Sequence, residues 1–441
     1  MSHRPANATG PVPKSSDTPS FAEASGVFAR IGLLSFGGPA AQIALMHRVL
    51  VEERQWLSER GFLSALSFCM LLPGPEAMQL ATYSGWRLHG VKGGLAAGLL
   101  FVAPGAALVL ALSVLYGAFG KTPPVEALFT GVKAAVLAIV LEALIRLGRR
   151  ALRGGLDWLV AGAAFVAIFV LAAPFPLVII AAAAAGYFRT AAGAAPSFEA
   201  PPVPHTQTAR TVAVWLAVWI VPLLAVVALF GPQHVLAQLA WFFSKLAVVT
   251  FGGAYAVLAY MAQAVVEGYG WLTPGEMLDG LGLAETTNGP LILVNEFVAY
   301  TAAHRFGGGT PVVMGILGAL VALWATFAPC FLWIFAGAPY VERLTAAPRL
   351  ASALSTVTAA VVGVIANLSL WFALHVLFTQ VNERWWGPFR LFVPEPGSIA
   401  SVALALSGLA LLLLFVLRRG IATTLAVCAG AALLWLYVAP A

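Results

Sequence analysis

The sequence predicts an all-α polytopic membrane protein with about thirteen transmembrane segments, arranged as two inverted structural repeats with broken or re-entrant helices. Of its 441 residues, 61% are hydrophobic and 10% are charged, and the mean hydropathy is +0.90. Soluble domains average about 45–50% apolar and about 25% charged residues. The apolar residues also form blocks of roughly 20, about the length that crosses a hydrocarbon core some 30 Å thick.

Thirteen apolar segments follow one another along the chain, at 28–50, 62–88, 92–119, 124–147, 156–172, 174–188, 212–231, 235–264, 276–302, 309–336, 350–378, 398–417 and 419–438. Glycine and proline interrupt four of them, which we therefore expect to be broken or re-entrant: 28–50, 62–88, 235–264 and 276–302. Polar stretches rich in proline or alanine divide the chain into five parts. These are a disordered cytoplasmic tail (1–23), a first repeat (24–188), a linker (189–211), a single helix (212–231) and a second repeat (235–438).

An internal repeat carries the most information. Residues 35–38, Ser-Phe-Gly-Gly, recur as Thr-Phe-Gly-Gly at 250–253, an offset of 215. The same offset pairs Gly-Pro at 74–75 with Gly-Pro at 289–290 without a gap, and it also matches a glutamate and a tryptophan in each half. Because an odd number of segments separates corresponding elements, the second half is predicted to be inverted. The unmatched segment 212–231 then serves as the orientation switch.

The basic residues lie in short loops between apolar blocks, so topology explains the net charge of +6 better than a nucleic-acid partner. With the N-terminus inside, twelve of these residues face the cytoplasm. Seven face the other side: Arg48, Arg54, Arg60, Lys121, Arg305, Arg384 and Arg390. The bias predicts a cytoplasmic N-terminus and an external C-terminus. Three scattered cysteines show no disulfide or metal spacing, and we expect no cofactor, metal or catalytic set.

The sequence resembles the chromate ion transporter family in its long, two-domain form. The motifs that carry the resemblance span residues 30–39 and 72–83, with echoes at 245–254 and 287–290. The resemblance implies chromate export across the bacterial inner membrane, chromate resistance and antiparallel halves. It departs from the pattern at Asn288, where a proline is expected. Expected partners are chromate or a similar oxyanion and membrane lipid, with homo-oligomerisation left open. Transport of another oxyanion such as sulfate, and a membrane-embedded enzyme, remain alternatives.

A tetrahedral dianion requires converging donors inside the membrane. The Phe-Gly-Gly and Pro-Gly-Pro breaks free backbone amides that must face protein, water or ligand, although a simple kink is the alternative. Arg30 and Lys245 occupy the same repeat position in apolar stretches, where they either bind the anion or extend to an interface. The candidate substrate-binding residues are Arg30, Ser35, Phe36, Gly37, Gly38, Pro73, Gly74, Pro75, Lys245, Thr250, Phe251, Gly252, Gly253, Gly289 and Pro290.

Acidic residues inside apolar blocks are candidates for proton coupling: Glu76, Glu142 and Glu285. Glu76 follows the Pro-Gly-Pro break, where a carboxylate in the first turn of a helix is also stabilised by the helix dipole. Helix capping is therefore an equal interpretation for Glu76. Gln79, Asn288 and Asn295 either line a cavity or bridge neighbouring helices by hydrogen bonds.

Overall fold

The computed structural model describes residues 19–189, 205–251, 254–341 and 347–438. Most of the predicted tail and linker lies outside these ranges. Two predicted boundaries are wrong: α1 begins at Phe21, inside the predicted tail 1–23, and α8 begins at His205, inside the predicted linker 189–211. Ser20 caps the first of these helices by accepting a hydrogen bond from the Glu23 amide, which fixes its start.

The first half contains seven helices, and α8 follows them: α1 Phe21–Leu34, α2 Gly38–His47, α3 Glu59–Leu71, α4 Glu76–Phe119, α5 Pro123–Ala151, α6 Gly155–Phe169, α7 Phe175–Arg189 and α8 His205–Phe230. A π-helical turn, Arg48–Glu53, extends α2. At His89 and Gly90 the backbone of α4 leaves helical geometry. The two arms of α4 then fold back on each other, because Gly85 and Gly93 lack side chains and let the arms touch.

The second half repeats this order in its described residues: α9 Val235–Val249, α10 Ala254–Gln263, α11 Pro274–Thr286, α12 Val294–Phe306, α13 Pro311–Gly337, α14 Pro348–Leu377, α15 Ser401–Leu411 and α16 Ile421–Val438. A π-helical turn, Ala264–Gly268, extends α10 as its counterpart extends α2. The α12–α13 pair corresponds to the two arms of α4. Each of the nine uninterrupted segments predicted from the sequence coincides with one helix or one arm.

The interrupted segments of the first half are helical hairpins. Arg54 forms an ion pair with Glu23 at 2.9 Å, although a straight helix would separate residues 31 positions apart by about 46 Å. The rings of Phe68 and Tyr83 are likewise 6.1 Å apart across the Pro-Gly-Pro break. Therefore α1 folds back against α2 and its π turn, and α3 folds back against the first arm of α4.

The interrupted segments of the second half fold back in the same way. Phe242 of α9 packs edge-on against Trp271 at 5.7 Å, beyond the end of α10. Glu276 of α11 forms an ion pair with Arg305 of α12, near the open end of the second hairpin. The sequence marked these four segments as broken or re-entrant, and the structure resolves all four as hairpins.

The turns that follow the first hairpin of each half repeat atom for atom. The Leu50 carbonyl accepts hydrogen bonds from the amides of Trp56 and Leu57, at 2.9 and 3.2 Å. The corresponding Val265 carbonyl accepts them from the two equivalent amides, at 2.8 and 3.4 Å. A repeat read from residue identities is thus also a repeat of backbone hydrogen bonding.

A β-hairpin between α14 and α15 was not predicted. Its strands, Val381–Trp386 and Phe389–Pro394, pair antiparallel around Gly387. Arg390 anchors the hairpin: its side chain is buried and forms an ion pair at 2.8 Å with Glu267, which lies in the π turn after α10. Within the described residues, six helices are long and apolar enough to cross a bilayer, and several shorter apolar helices accompany them. The chain is an all-α polytopic membrane protein.

Candidate functional site

The tips of the four hairpins are joined in two pairs, each containing one tip from each half, by a reciprocal pair of hydrogen bonds. The Gly74 amide donates to the Thr250 carbonyl at 2.9 Å, and the Gly289 amide donates to the Ser35 carbonyl at 2.8 Å. With the offset of 215, Ser35 corresponds to Thr250 and Gly74 corresponds to Gly289. Each half therefore supplies one donor and one acceptor to the other, which is the contact pattern of a two-fold axis.

Glycine is required at both donor positions. Gly74 and Gly289 have φ of 122° and 94°, where a β-carbon is strained. A β-carbon on Gly74 would also lie 2.8 Å from Nε2 of Gln79 and 3.0 Å from Sγ of Cys330. Gly105 of α4 packs directly against the residue before Gly289, because a β-carbon on Gly105 would collide with the Asn288 carbonyl. The two tips are held at backbone-to-backbone distance.

Side-chain amides complete the tip region. Gln42 of α2 is buried, and its Nε2 donates to the Gly289 carbonyl at 2.6 Å. Gln79 donates to the Pro73 carbonyl at 2.7 Å, and Asn288 donates to the Gly32 carbonyl at 3.3 Å. The Oε1 atoms of Gln42 and Gln79 are buried without a hydrogen-bond partner among the described residues. Gln42 was not predicted as a site residue, because its repeat counterpart is an apolar valine and the repeat therefore does not mark it.

The matched hydroxyls of Ser35 and Thr250 bond within their own helices. Ser35 Oγ donates to the Ile31 carbonyl at 2.7 Å, and Thr250 Oγ1 donates to the equivalent Leu246 carbonyl. Both residues are buried. In this conformation their protons are engaged with backbone, and their oxygen lone pairs remain available as acceptors.

Several helices start at the tips without a side-chain cap. The N-cap residues Gly37 of α2, Pro75 of α4 and Pro290 before the turn into α12 accept no amide hydrogen bond through a side chain. First-turn amides at such ends have no partner within their helix. Combined with the helix dipole, these ends favour a nearby anion. Gly252 and Gly253, the predicted counterparts of Gly37 and Gly38, lie outside the described residues. Phe36 is exposed beside this tip, and Phe251 is half-buried.

Arg30 and Lys245 are both exposed, on α1 and α9 respectively. Neither forms an ion pair or hydrogen bond with a described residue. Lys245 instead places Nζ 5.4 Å from the ring centre of Tyr260. The two cations occupy equivalent positions about one and a half turns before the joined tips, and the structure does not bring them into contact with each other.

The predicted acidic residues have different surroundings. Glu285 of α11 accepts a hydrogen bond from the Tyr255 hydroxyl at 2.6 Å, and the Glu142–Arg146 ion pair of α5 lies within electrostatic range of it. Glu76 is half-buried in the first turn of α4, where no hydrogen bond or ion pair to a described residue engages its side chain. The Glu285 group sits beside a second-half tip, and its repeat counterpart in the first half is an apolar methionine.

A polar cavity of about 800 Å³ opens where the C-terminal end of α4 and the starts of α5 and α11 meet the end of α12. Its walls include Lys121, Lys133, Asp279, Tyr300, His304 and Arg305. Asp279 is buried there, forms an ion pair with Lys133 at 3.3 Å and accepts a hydrogen bond from the Tyr116 hydroxyl at 2.8 Å. We call this space the α5–α12 cavity; it is separate from the hairpin tips.

The family described as Chromate transporter matches residues 22–187 and 237–435, which are the two halves identified above. The chain belongs to the chromate transporter family. The chromate transport protein of Pseudomonas aeruginosa is 33% identical over 376 residues, covering 82% of this chain and 84% of that protein.

Two further relatives show the same extent of similarity. The probable chromate transport protein of Synechococcus elongatus is 31% identical over 340 residues, covering 77% and 81% of the two chains. The chromate transport protein of Cupriavidus metallidurans is 30% identical over 345 residues, covering 77% and 79%. No solved structure matches this chain significantly.

Proposed function

We propose that this chain exports chromate from the bacterial cytoplasm across the inner membrane and thereby confers chromate resistance. Membership of the chromate transporter family is the observation that carries the proposal. The proposed substrate is a tetrahedral dianion, and the proposed binding region is formed by the joined hairpin tips. The activity is transport without covalent chemistry, so the exported ion keeps its oxidation state.

The membrane potential is sufficient to drive this export. Moving one charge through 100 mV is worth about 2.3 kcal/mol. A dianion that leaves an inside-negative cell therefore gains about 4.6 kcal/mol per 100 mV, more than a thousandfold in concentration ratio. Proton exchange would add to this gradient, and Glu76, Glu142 and Glu285 remain candidates to carry the proton.

We propose a cytoplasmic N-terminus and an external C-terminus. A hairpin returns the chain to the side from which it entered, so the turns after α2 and α3 stay with the N-terminus. Arg48, Arg54 and Arg60 then move to the cytoplasmic side in the count of basic loop residues. Of the seven first assigned outside, only Lys121, Arg305, Arg384 and Arg390 remain there. The revised count strengthens the positive-inside bias.

The number of membrane crossings between the two halves supports their inversion. The second arm of α4, then α5, α6, α7 and α8, give five crossings between the first hairpin of each half. Five is an odd number, so α9 begins on the opposite side from α1. In this arrangement the tips from the two halves approach the midplane from opposite faces. Rocking of one half against the other would expose the tips alternately.

The proposed roles at the site follow from charge and from free donors. Uncapped amides at the tips offer hydrogen bonds to the oxyanion, and the Gln42 and Gln79 side chains hold the tip backbone in place through their Nε2 donors. Arg30 and Lys245 raise the local concentration of the dianion from equivalent positions in the two halves. Because both are exposed, their contribution is through-space attraction and is sensitive to ionic strength.

Chromate flux in proteoliposomes tests the proposal. The wild-type protein should release loaded chromate faster as the potential becomes more negative inside, and sulfate should be tried as a competitor. Arg30→Ala combined with Lys245→Ala should reduce the flux at low salt about tenfold or more, a loss of at least ~1.4 kcal/mol.

The matched control for this double variant replaces two exposed basic residues far from the tips, Arg384→Ala with Arg419→Ala. It should retain wild-type flux. Unchanged flux in the Arg30 and Lys245 variant would remove those residues from the site. Wild-type vesicles that carry sulfate and reject chromate would overturn the substrate assignment.

A further inference from the structure

A fully buried carboxyl in α12 lies outside the site described so far. Glu296 has no exposed surface, and neither of its oxygens has a hydrogen-bond partner among the described residues. It lies six residues after Pro290, so it belongs to the arm that follows a hairpin tip. The neighbouring Asn295 does not bond to Glu296; its side-chain amide donates a hydrogen bond to the Thr326 hydroxyl of α13 at 3.1 Å.

Charged or titratable groups on the elements that pack against α12 do not compensate Glu296. These groups are Glu76, Tyr83, Arg87, His89, Lys92 and Tyr116 of α4, Lys245 of α9, Glu276, Asp279 and Glu285 of α11, and Cys330 of α13, with Lys133 of α5 behind Asp279. Asp279 forms an ion pair with Lys133 and accepts a hydrogen bond from Tyr116, and Glu276 forms an ion pair with Arg305. An ionised Glu296 would stand alone in an apolar interior, which strongly disfavours the charged form. In this conformation Glu296 therefore holds a proton.

Two further polar side chains of α12 lie between this carboxyl and the α5–α12 cavity. Glu296, Tyr300 and His304 are spaced four residues apart, so they share one face of α12 along about 12 Å of helix. The Tyr300 hydroxyl is also buried without a partner among the described residues, and its ring stacks on that of His304 at 5.6 Å. Both Tyr300 and His304 reach Gly117 of α4 and line the α5–α12 cavity.

We propose that Glu296 is a proton-carrying residue and that Tyr300 and His304 connect it to the α5–α12 cavity. A proton from cavity water reaches the imidazole of His304. The Tyr300 hydroxyl accepts a proton on its oxygen and passes its own to the Glu296 carboxylate, so no net charge remains on the tyrosine. Release to the other side requires a second conformation, reached when the α12 arm moves with the tips. This inference rests on the proposed transport function and assigns its proton site.

The accumulation of chromate at equilibrium tests the proposal. Proteoliposomes are clamped at zero potential with a gradient of one pH unit. If one proton exchanges for each chromate ion, the wild-type protein should support about a tenfold chromate gradient. Glu296→Gln, which keeps the shape of the protonated carboxyl, should support a ratio of one. Glu383→Gln, an exposed change in the β-hairpin, should behave as wild type.

Tyr300→Phe separates the path from the proton site. It should slow the approach to the chromate gradient while leaving its final value at about tenfold, since equilibrium does not depend on the route. A tenfold gradient in Glu296→Gln, or an unchanged rate in Tyr300→Phe, would overturn the corresponding part of the proposal. If the wild-type protein moved no chromate at any potential, the proposed function itself would fail instead.

A second measurement does not depend on the folding of a variant. A hydrophobic carbodiimide reacts with protonated carboxyls inside membrane proteins, and mass spectrometry locates the adduct. In the wild-type protein the modified peptide should contain Glu296, and modification should abolish the response to the pH gradient. An unmodified Glu296 after full inhibition by the reagent would contradict the proposal.

Discussion

At the scale of single residues, glycine and amide side chains decide how closely the two halves approach. The Gly74 and Gly289 amides cross between the halves, and Gln42 supports one of these two donor glycines by donating to the Gly289 carbonyl. The sequence could pair Ser35 with Thr250 as equivalent positions. It could not predict that each contacts the other half's glycine, because that requires knowing the two-fold relation in space. Gln42 has no polar counterpart, so no repeat signal marked it.

Substitution of Gly74 should weaken the junction between the halves. Gly74→Ala places a β-carbon at a positive φ and against Gln79 and Cys330, and we expect a destabilisation of about 1–3 kcal/mol. The measurement is the midpoint of thermal unfolding in detergent. Gly26→Ala is the control, because no atom lies within 4 Å of its added carbon and α1 gains helix propensity. A Gly74→Ala protein as stable as Gly26→Ala would refute the junction.

His47, the last residue of α2 at the open end of the first hairpin, makes stability depend on pH. Its hydrogen bond to Glu59 at 2.7 Å, together with Glu52, raises the pKa of His47 above its usual 6.5. The folded state therefore gains stability at low pH, fully present below about 6.5 and lost as the pH rises through the raised pKa. Unfolding midpoints measured from pH 6 to pH 8.5 should fall more steeply for wild type than for His47→Gln.

Removal of the partner should have the same consequence for the histidine. Glu59→Gln keeps the side-chain shape and removes the charge that favours the imidazolium, so its unfolding midpoint should also vary less with pH. Equal pH slopes for wild type and both variants would show that this contact does not contribute to stability.

At the scale of elements, the hairpins are the feature that sequence patterns predicted only in part. Glycine and proline identified where the helices break, since neither sustains a helix interior. They do not specify the angle at which the chain continues. That angle comes from contacts between residues far apart in sequence, such as Phe68 with Tyr83 and Glu276 with Arg305. The β-hairpin at 381–394 was missed because it is a short insertion between apolar blocks.

Cross-linking tests the fold-back of the first hairpin. Cysteines introduced as Glu23→Cys and Arg54→Cys should be joined rapidly by a short bismaleimide, because their native side chains form an ion pair. In a straight broken span the two positions would be about 46 Å apart, beyond the reagent. Glu23→Cys with Arg384→Cys is the control pair and should remain unlinked. Absence of the first cross-link would mean that the segment crosses the membrane.

At the scale of the whole molecule, we propose that duplication and an odd number of crossings generate one shared site from two similar halves. Composition and the repeat register predicted the membrane class and both halves, and the family match covers the same two ranges. The halves are not electrostatically equal: Tyr255, Glu285 and the buried Glu296 have apolar counterparts in the first half. From this asymmetry we propose that both halves attract the anion and that the second half exchanges the proton.

The inverted arrangement is tested most directly by labelling two equivalent positions from one side of the membrane. Arg60→Cys and Gly275→Cys are 215 residues apart, and the three native cysteines are buried from a membrane-impermeant thiol reagent. In sealed, oriented vesicles, reagent on the cytoplasmic face should label position 60 alone, and reagent on the external face should label position 275 alone. Labelling of both positions from the same face would contradict the two-fold relation on which the joined tips depend.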